Sequence, residues 1–273
     1  MPELPEVETV VRYLRPKITG RKILDMSSDT PRLFRVRRSR TSTEMKSDFK
    51  KIRKQVIGRK IESLDRIGKN ILFNLSGGKC LALHLMMTGK ILLNPKERSA
   101  HDRLVIKLSG GVQLVFNDPR KFGRCRILEG GKVFPGQDAL SLRFRGLKSL
   151  LGTRKSAIKN FLLDQRAVSG IGNIYSDEIL WEAGVRPLRK TNSLREKDIK
   201  NLYRAMKRVL ALAIKNGGTS MRDYRKPDGK EGGYYQLRKA HHRAGEKCSR
   251  DGATIRRIKI GARSAHYCPK HQV

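Results

Sequence analysis

The sequence predicts an α+β fold in which an antiparallel β domain comes first, a helical domain follows, and a small basic region ends the chain. Up to about residue 133, short apolar runs such as NILFNL and VQLVF alternate with Gly, Asn and Asp, which is typical of antiparallel strands joined by turns. From 134 to 224 the apolar residues recur at helical spacing. Residues 225–273 hold too little apolar content for a core of their own, so a metal or a docking contact is expected there.

The chain opens MPELPEVETV, and a first helix is predicted to begin near Pro5. Proline suits a first helical turn, and apolar residues in VETVVRYL then recur at helical spacing. Pro2 and Glu3 therefore precede a helix N-terminus, whose partial positive charge and unpaired amides stabilise a carboxylate or a bound phosphate. On these ten residues alone, an exposed helix with an acidic cap is the favoured interpretation.

The chain is strongly basic. It has 61 Lys and Arg against 25 Asp and Glu, a formal net charge of +36. Such a charge attracts polyanions, so nucleic acid is the expected partner and an anionic membrane surface the weaker alternative. No apolar run approaches the roughly 18 residues of a membrane-spanning helix, and the acidic N-terminus does not resemble a signal peptide. Two of the four cysteines are isolated, which suggests a reduced cytosolic protein. The chain is expected to be a monomer without a membrane partner, located in the cytoplasm and associated with the nucleoid.

The helical domain contains the stretch SGIGNIYSDEILWEAGVRP. Gly170 and Gly172 bracket a tight turn, and Asn173 then stands at the start of a helix. Glycines permit close backbone approach, and the helix N-terminus and the Asn amide supply donors, so the stretch suits a phosphate clamp. As a bare pattern, a simple structural turn is an equally good interpretation.

Five motifs, in order along the chain, resemble those of the bacterial formamidopyrimidine-DNA glycosylase family. They are MPELPEVETV, HLMMTG, DPRKFG, GIGNIYSDEIL and the C-terminal IRRIKIGARSAHYCPKHQ. The resemblance implies an N-terminal antiparallel β-sandwich with flanking helices over residues 1–133, a helix-two-turn-helix DNA-binding domain over 134–224, and a zinc-finger-like β-hairpin region over 225–273. Leu4, where the related endonuclease VIII branch usually has Gly, favours oxidised purines as substrates.

The resemblance implies a bifunctional DNA glycosylase and abasic-site lyase of base excision repair, which removes 8-oxoguanine and formamidopyrimidines from damaged double-stranded DNA. It also implies that Met1 is removed and that the amine of Pro2 attacks C1′, releases the base and forms a Schiff base, after which β- and δ-elimination cut the strand. An α-amino group titrates near ~8 and a lysine near ~10.4, so a terminal amine is the more available nucleophile at neutral pH. A glycosylase for oxidised pyrimidines and a non-catalytic DNA-binding protein of the same fold remain alternatives.

Three further residues match catalytic positions of the family. Glu3 matches the general acid/base that assists opening of the sugar ring. Glu6 matches a second carboxylate, for which an ordinary first-turn helix acid is an equal interpretation. Lys69, in DRIGKNILF, matches a hairpin lysine that contacts phosphate and assists the elimination. Without the matching hairpin, Lys69 would be interpreted as a solvated surface charge.

Other matching residues would hold the DNA once the damaged base has left the stack. Met87, Arg120 and Phe122 match the family's void-filling triad, although Met87 and Phe122 would otherwise be interpreted as core residues. Met86 stands where the family usually has Gly, and Lys121 where it has Arg, so the local backbone is expected to differ. The loop 219–224 matches a cover over the everted base. The remaining DNA contacts are assigned to Lys159, Asn173, Arg222 and Arg263.

The C-terminal region departs from the family pattern of four zinc-binding cysteines. The equivalent positions are Cys248, Asp251, Cys268 and His271. Imidazole is a good zinc ligand and a carboxylate an acceptable one, so a Zn²⁺ site is expected here. The alternative is a finger without metal, in which packing of the hairpin alone positions Arg263.

Overall fold

The computed structural model describes residues 1–34, 41–128 and 136–273, with the backbone alone described at residue 42. The chain divides into two compact units, the first of Met1–Val133 with Gly217–Gly233 and the second of Phe134–Asn216 with Tyr234–Val273. The predicted boundary between residues 133 and 134 lies outside the described residues. The division into three domains stays a prediction.

The first unit is built on two four-stranded antiparallel sheets. Its strands are β1 (Ile23–Ser27), β2 (Ile61–Ile67), β3 (Asn70–Leu75), β4 (Lys79–His84), β5 (Lys90–Leu93), β6 (Asp102–Leu108), β7 (Val112–Asn117) and β8 (Arg124–Leu128). One sheet has the order β1-β6-β7-β5 and the other β2-β3-β4-β8. Phe73 and Leu83 of the second sheet share a buried core with Leu104, Ile106 and Phe116 of the first. The two sheets therefore form the predicted sandwich.

Two helices flank this sandwich. Helix α1 (Leu4–Ile18) packs on β2 and β3, and α2 (Ser42–Val56) packs on β4. Helix α1 begins one residue before the predicted Pro5. The basic stretch 31–60, to which the sequence assigned no role, includes the 3₁₀ turn Pro31–Phe34 and α2; its residues 35–40 lie outside the described residues.

The second unit is mainly helical, as predicted. Its elements are β9 (Gln137–Asp138), α3 (Phe144–Gly152), α4 (Ile158–Leu163), β10 (Val168–Ser169), α5 (Asn173–Ala183), α6 (Glu196–Lys215), β11 (Arg256–Ile260) and β12 (Arg263–Tyr267). Strands β9 and β10 pair in parallel, and β11 and β12 form an antiparallel hairpin. Helix α6 buries the predicted apolar face through Leu202, Met206 and Leu210, while Leu212 points to solvent. None of the described helices is long and apolar enough to cross a membrane.

The C-terminal region has its own small core, which includes a residue from α5. Trp181 packs there with Ala240, Cys248, Ile255 and Cys268, and α5 also packs on β12 and α6. The hairpin region is therefore stabilised by docking on α5, as its low apolar content requires.

Candidate active site and nucleic-acid interface

The carboxylate of Glu6 connects the start of α1 to the loop 219–224, hereafter the cover loop. Glu6 is 1% exposed; one of its oxygens accepts the Glu3 amide at 2.7 Å, and the other accepts the Thr219 amide at 2.7 Å. The Tyr224 hydroxyl donates to the Glu6 backbone carbonyl at 3.3 Å. A Cβ at Gly218, where φ is +79°, would lie 2.8 Å from Glu6 Oε1, so this approach requires glycine.

The three other residues matched to catalysis lie in the same unit. Pro2 is buried behind Met1, and Glu3 is 2% exposed at the N-terminus of α1. Lys69 is 6% exposed and follows Gly68 in the turn between β2 and β3, the two strands on which α1 packs. Burial of Glu3 contradicts an exposed acidic cap, which was the favoured interpretation of the first ten residues.

His84, at the end of β4, was quoted in the HLMMTG motif without a role. Burial and then the positive charges of Lys69, Arg124 and Arg126 lower its pKa to about 4, so the ring is neutral at physiological pH. Its Nδ1 accepts the Met86 amide at 2.9 Å, which assigns the ring proton to Nε2. His84 therefore offers a neutral donor among cations. In the sequence, the only indication of this role was the position of His84 at the end of a predicted strand that follows the hairpin containing Lys69.

Two wedge loops, residues 85–89 and 118–123, carry the residues matched to void filling. Met87 is 39% exposed and Phe122 is 37% exposed, which contradicts the alternative that they are core residues. The Arg120 guanidinium lies over the Phe122 ring, 4.7 Å from its centroid. Both loops join one fully buried carboxylate, because Asp118 accepts the Thr88 hydroxyl and the Gly123 amide.

In the second unit, Asn173 and Arg263 each begin an element. Asn173 is the first residue of α5, and its Oδ1 is buried with no hydrogen-bond partner among the described residues. Arg263 is exposed at the first position of β12, directly after the hairpin turn. In the first unit, Arg222 is exposed on the cover loop. Arg222 and Arg263 are therefore accessible to a ligand, and Asn173 is half-buried at the N-terminus of α5.

Lys159 is not placed in this way, and its predicted phosphate contact is contradicted. Its side chain is fully buried, and its Nζ bonds Asp177 at 2.5 Å. Asp177 also pairs with Nδ1 of His241 at 2.7 Å and Nδ1 of His266 at 3.0 Å. Burial alone would raise the pKa of Asp177, but the two imidazoles and the Lys159 charge lower it to about 2. Lys159 is therefore part of a buried ionic network.

Glu178, the next residue of α5, also has a structural role, which was not predicted from the sequence. Its carboxylate accepts three successive backbone amides, those of Lys239 at 2.7 Å, Ala240 at 2.9 Å and His241 at 2.7 Å. Asp177 and Glu178 thus hold the segment before the hairpin, and β12 itself, against α5. The SDE triplet in the quoted motif was the only signal for this arrangement.

The four residues predicted to bind metal come together. Ligand atoms of Cys248, Asp251, Cys268 and His271 all lie within 4.8 Å of one another. The distances are 2.9 Å from His271 Nδ1 to Asp251, 3.2 Å from Cys268 Sγ to Asp251, and 3.6 Å from Cys248 Sγ to His271. Tetrahedral coordination of zinc separates such atoms by ~3.3–3.8 Å, so small adjustments would suffice.

The orientation of the His271 ring also suits a metal ligand. Its Nε2 lies 3.1 Å from the Trp181 carbonyl, to which it can donate, while Nδ1 faces the other three residues. The cluster can therefore hold a metal ion. Asp177, His241 and His266 are equally close together, but the ammonium of Lys159 on the same carboxylate opposes a second metal cation.

Comparisons with known proteins agree with this geometry. Residues 1–125 match the formamidopyrimidine-DNA glycosylase N-terminal domain, and residues 136–225 match the H2TH domain of formamidopyrimidine-DNA glycosylase. The chain is 37% identical over 284 residues to the formamidopyrimidine-DNA glycosylase of Ligilactobacillus salivarius, covering 100% of this chain and 99% of the relative. It is 39% identical over 287 residues to that of Pelotomaculum thermopropionicum, with the same coverage of each.

Solved structures of DNA complexes are similar over the whole chain. The Lactococcus lactis Fpg bound to DNA with an abasic site superposes with a TM-score of 0.86 at 34% identity, covering 99% of both chains. A Lactococcus lactis Fpg mutant bound to DNA containing Fapy-dG has a TM-score of 0.87 at the same identity and coverage. With two family domains matched and full-length relatives above 30% identity, the chain belongs to the formamidopyrimidine-DNA glycosylase family.

Proposed function

We propose that the protein excises oxidised purines from duplex DNA with the amine of Pro2 as nucleophile and Glu3 as general acid/base. Its family membership makes it a DNA glycosylase of base excision repair with abasic-site lyase activity. Its partner is damaged duplex DNA, the ligand of its structural relatives. The observation that carries the assignment of residues is the pair of bonds by which Glu6 joins Glu3 to the cover loop.

In the proposed reaction, removal of Met1 frees the secondary amine of Pro2. The nitrogen attacks C1′ of the damaged nucleotide as the bond from C1′ to the base breaks, and the proton that the amine loses goes to the departing base. Glu3 donates a proton to the ring oxygen O4′, so that the sugar opens and an iminium forms between Pro2 and C1′. Loss of a C2′ proton then expels the 3′ phosphate by β-elimination, and δ-elimination expels the 5′ phosphate.

Glu6 has a positioning role in this proposal. Both of its carboxylate oxygens accept backbone amides, which fix the start of α1 and the cover loop relative to each other. Lys69, Asn173, Arg222 and Arg263 are assigned to contacts with DNA phosphates and to the elimination step. Met87, Arg120 and Phe122 are assigned to the gap left by the everted base, which their exposure and the ring contact of Arg120 support.

We also propose that the C-terminal cluster binds Zn²⁺, with Cys248, Asp251, Cys268 and His271 as ligands. Two thiolates, one imidazole and one carboxylate favour zinc over the oxygen-seeking cations. Bound zinc would fix the ends of the hairpin that carries Arg263. Since the substrate is chromosomal, the proposed place of action is the nucleoid in the cytoplasm.

The zinc assignment is tested by the metal content of the purified protein. Mass spectrometry of the metal should find one zinc per chain in the wild type, none in Cys268→Ser, and one in Cys80→Ala, a matched change at a buried cysteine in β4. A wild-type protein that was produced with zinc in the medium and contains none would overturn the assignment.

Borohydride trapping tests the nucleophile and the lesion together. The purified protein is incubated with duplex DNA containing 8-oxoguanine opposite cytosine, and the attachment site is mapped by mass spectrometry. An adduct at Pro2 supports the proposal. A duplex containing an oxidised pyrimidine is tested in parallel, and an adduct on that DNA alone would change the assigned substrate class from oxidised purines to oxidised pyrimidines. If a protein that lacks Met1 binds both DNAs tightly and forms an adduct with neither, the proposed chemistry is overturned.

A further inference from the structure

A cavity beside the wedge loops is lined by cations to which no function has been assigned. It has a volume of about 90 Å³ and is lined by Arg32, Met86, Lys121, Phe122, Gly123 and Arg124. This set of residues, hereafter the wedge-side cavity, includes three cations and no carboxylate. Only Phe122 among them belongs to the residues matched to DNA. We propose that the wedge-side cavity binds a backbone phosphate of the DNA duplex, an inference that rests on the proposed function.

The three cations are free to bind an anion. Arg32, Lys121 and Arg124 are exposed, and none of them forms an ion pair within the described part of the chain. By contrast, the exposed Arg53 of α2 in the same unit is paired with Asp25. Three like charges around one cavity repel each other, and a bound anion relieves that repulsion.

The backbone around the cavity is held in an unusual conformation. Met86 and Lys121 both have φ of 57°, the left-handed region that side chains other than glycine seldom adopt. Their conformations are fixed from outside, since the Met86 amide donates to His84 Nδ1 and the Asp118 carboxylate holds Thr88 and Gly123. Backbone strain that surrounding bonds maintain is concentrated at sites of ligand binding. Both of these residues line the wedge-side cavity.

The wall formed by Phe122 identifies the source of the phosphate. This ring is exposed and carries the Arg120 guanidinium on its face, and in the proposed function it is the part of the cavity that contacts the duplex during base eversion. An anion next to that ring is then a phosphodiester of the same duplex. Arginine and lysine side chains are the usual partners of such phosphates.

The test compares two triple variants of equal charge change. One replaces Arg32, Lys121 and Arg124 with Gln. The control replaces Lys46, Lys50 and Lys54, three exposed lysines on one face of α2, also with Gln. The probe is a duplex with an abasic-site analogue in which single phosphates near the lesion are replaced, one at a time, by neutral methylphosphonates. Circular dichroism and thermal melting verify that both variants are folded.

One phosphate should stand out. Neutralising that phosphate should weaken DNA binding by the wild type and the α2 control on the order of tenfold and should leave binding by the cavity variant unchanged. In addition, the plot of log affinity against log salt concentration should have a slope that is lower in magnitude by about 0.9 for the cavity variant, the value for one lost phosphate contact. Equal responses of all three proteins at every phosphate, with equal salt slopes, would overturn the inference. Trapping of the wild type at Pro2 is scored separately, so failure of the proposed function is distinguishable from failure of the wedge-side cavity.

Discussion

Thr88 and Asp118 form a 2.5 Å hydrogen bond between the two wedge loops, in which the hydroxyl donates to a carboxylate that solvent does not reach. The second oxygen of Asp118 accepts the Gly123 amide at 2.8 Å. The loop that carries Met87 and the loop that carries Phe122 are thus fixed to one side chain. Their relative position is set before DNA arrives, which would reduce the entropy lost in the proposed insertion of both loops into a duplex.

Replacement of Asp118 by Ala should therefore separate the loops. Two donors lose their acceptor in a buried setting, and we expect a loss of about 2–4 kcal/mol in the free energy of unfolding. Thr88→Val removes only one of the two bonds and should lose about 1 kcal/mol. Urea denaturation measures both values, and single-turnover base release should fall further in Asp118→Ala than in Thr88→Val. Equal stabilities of the two variants would contradict the shared anchor.

Glu3→Gln should abolish base release and leave DNA affinity intact, because the amide cannot supply the proton that opens the sugar ring. Pro2→Gly should retain affinity and lose normal lyase chemistry. The measurements are single-turnover release of 8-oxoguanine and the dissociation constant for an abasic-analogue duplex. Wild-type turnover by Glu3→Gln would remove Glu3 from the mechanism.

Glu6→Gln tests the connection between α1 and the cover loop. The Glu3 and Thr219 amides each donate to a separate oxygen of Glu6, and a glutamine side chain has only one oxygen. One of the two amides would therefore face an NH₂ group. We expect about 1–3 kcal/mol of destabilisation, and a fall in the rate of base release larger than any change in DNA affinity. Glu44→Gln, at the exposed start of α2, is the matched control. A release rate equal to that of the control would show that the connection does not matter for the reaction.

The pair of Lys159 and Asp177 should be costly to break from one side. Asp177→Asn leaves a buried ammonium with a neutral partner, and Lys159→Met leaves a buried carboxylate with only imidazole donors. Each is expected to lower the free energy of unfolding by about 3–5 kcal/mol. The double variant Lys159→Met with Asp177→Asn should lose less than the sum of the two, as measured by a double-mutant cycle. Additive losses would mean that the two groups do not interact.

His84 should make stability depend on pH. Its folded pKa of about 4 lies below the ordinary value of 6.5, so the unfolded chain binds a proton more readily between those values. Stability from this group is therefore present above pH 6.5 and is lost as pH falls toward 4, by about 1–3 kcal/mol. Thermal melts of the wild type and His84→Gln across this range provide the comparison. Parallel curves for the two proteins would contradict the assignment of a neutral buried ring.

Much of the fold could be predicted because its signals are local. Short apolar runs such as NILFNL predicted β3, and the spacing of Leu202, Met206 and Val209 predicted α6. The predicted start of α1 rested on Pro5, and the helix in fact begins one residue earlier, at Leu4. The contacts that fix the site are not local: Glu6 and Thr219 are 213 residues apart in the chain, and no periodicity reports such a pair.

Lys159 is a case in which a contact predicted from local sequence is wrong because a distant residue binds the side chain. A lysine in a chain with 61 basic residues was assigned to a phosphate, but Asp177, 18 residues later, holds it inside the protein. Whether a charge is buried depends on which carboxylate the fold brings to it. The four metal-binding candidates supplied by the resemblance do come together, and Pro2 and Glu3 lie buried at the start of α1, whereas the contacts of His84 and Asp118 were visible only in the structure.

The acceptance of three successive amides by Glu178 has a consequence for how the second unit opens. The segment at Lys239, Ala240 and His241 cannot leave α5 without stranding three donors and one carboxylate, while His266 ties β12 to the adjacent Asp177. The hairpin and α5 therefore belong to one cooperative unit of unfolding. In native-state hydrogen exchange, these three amides should exchange as slowly as the core of α5 and α6, and chelation of metal should leave them protected.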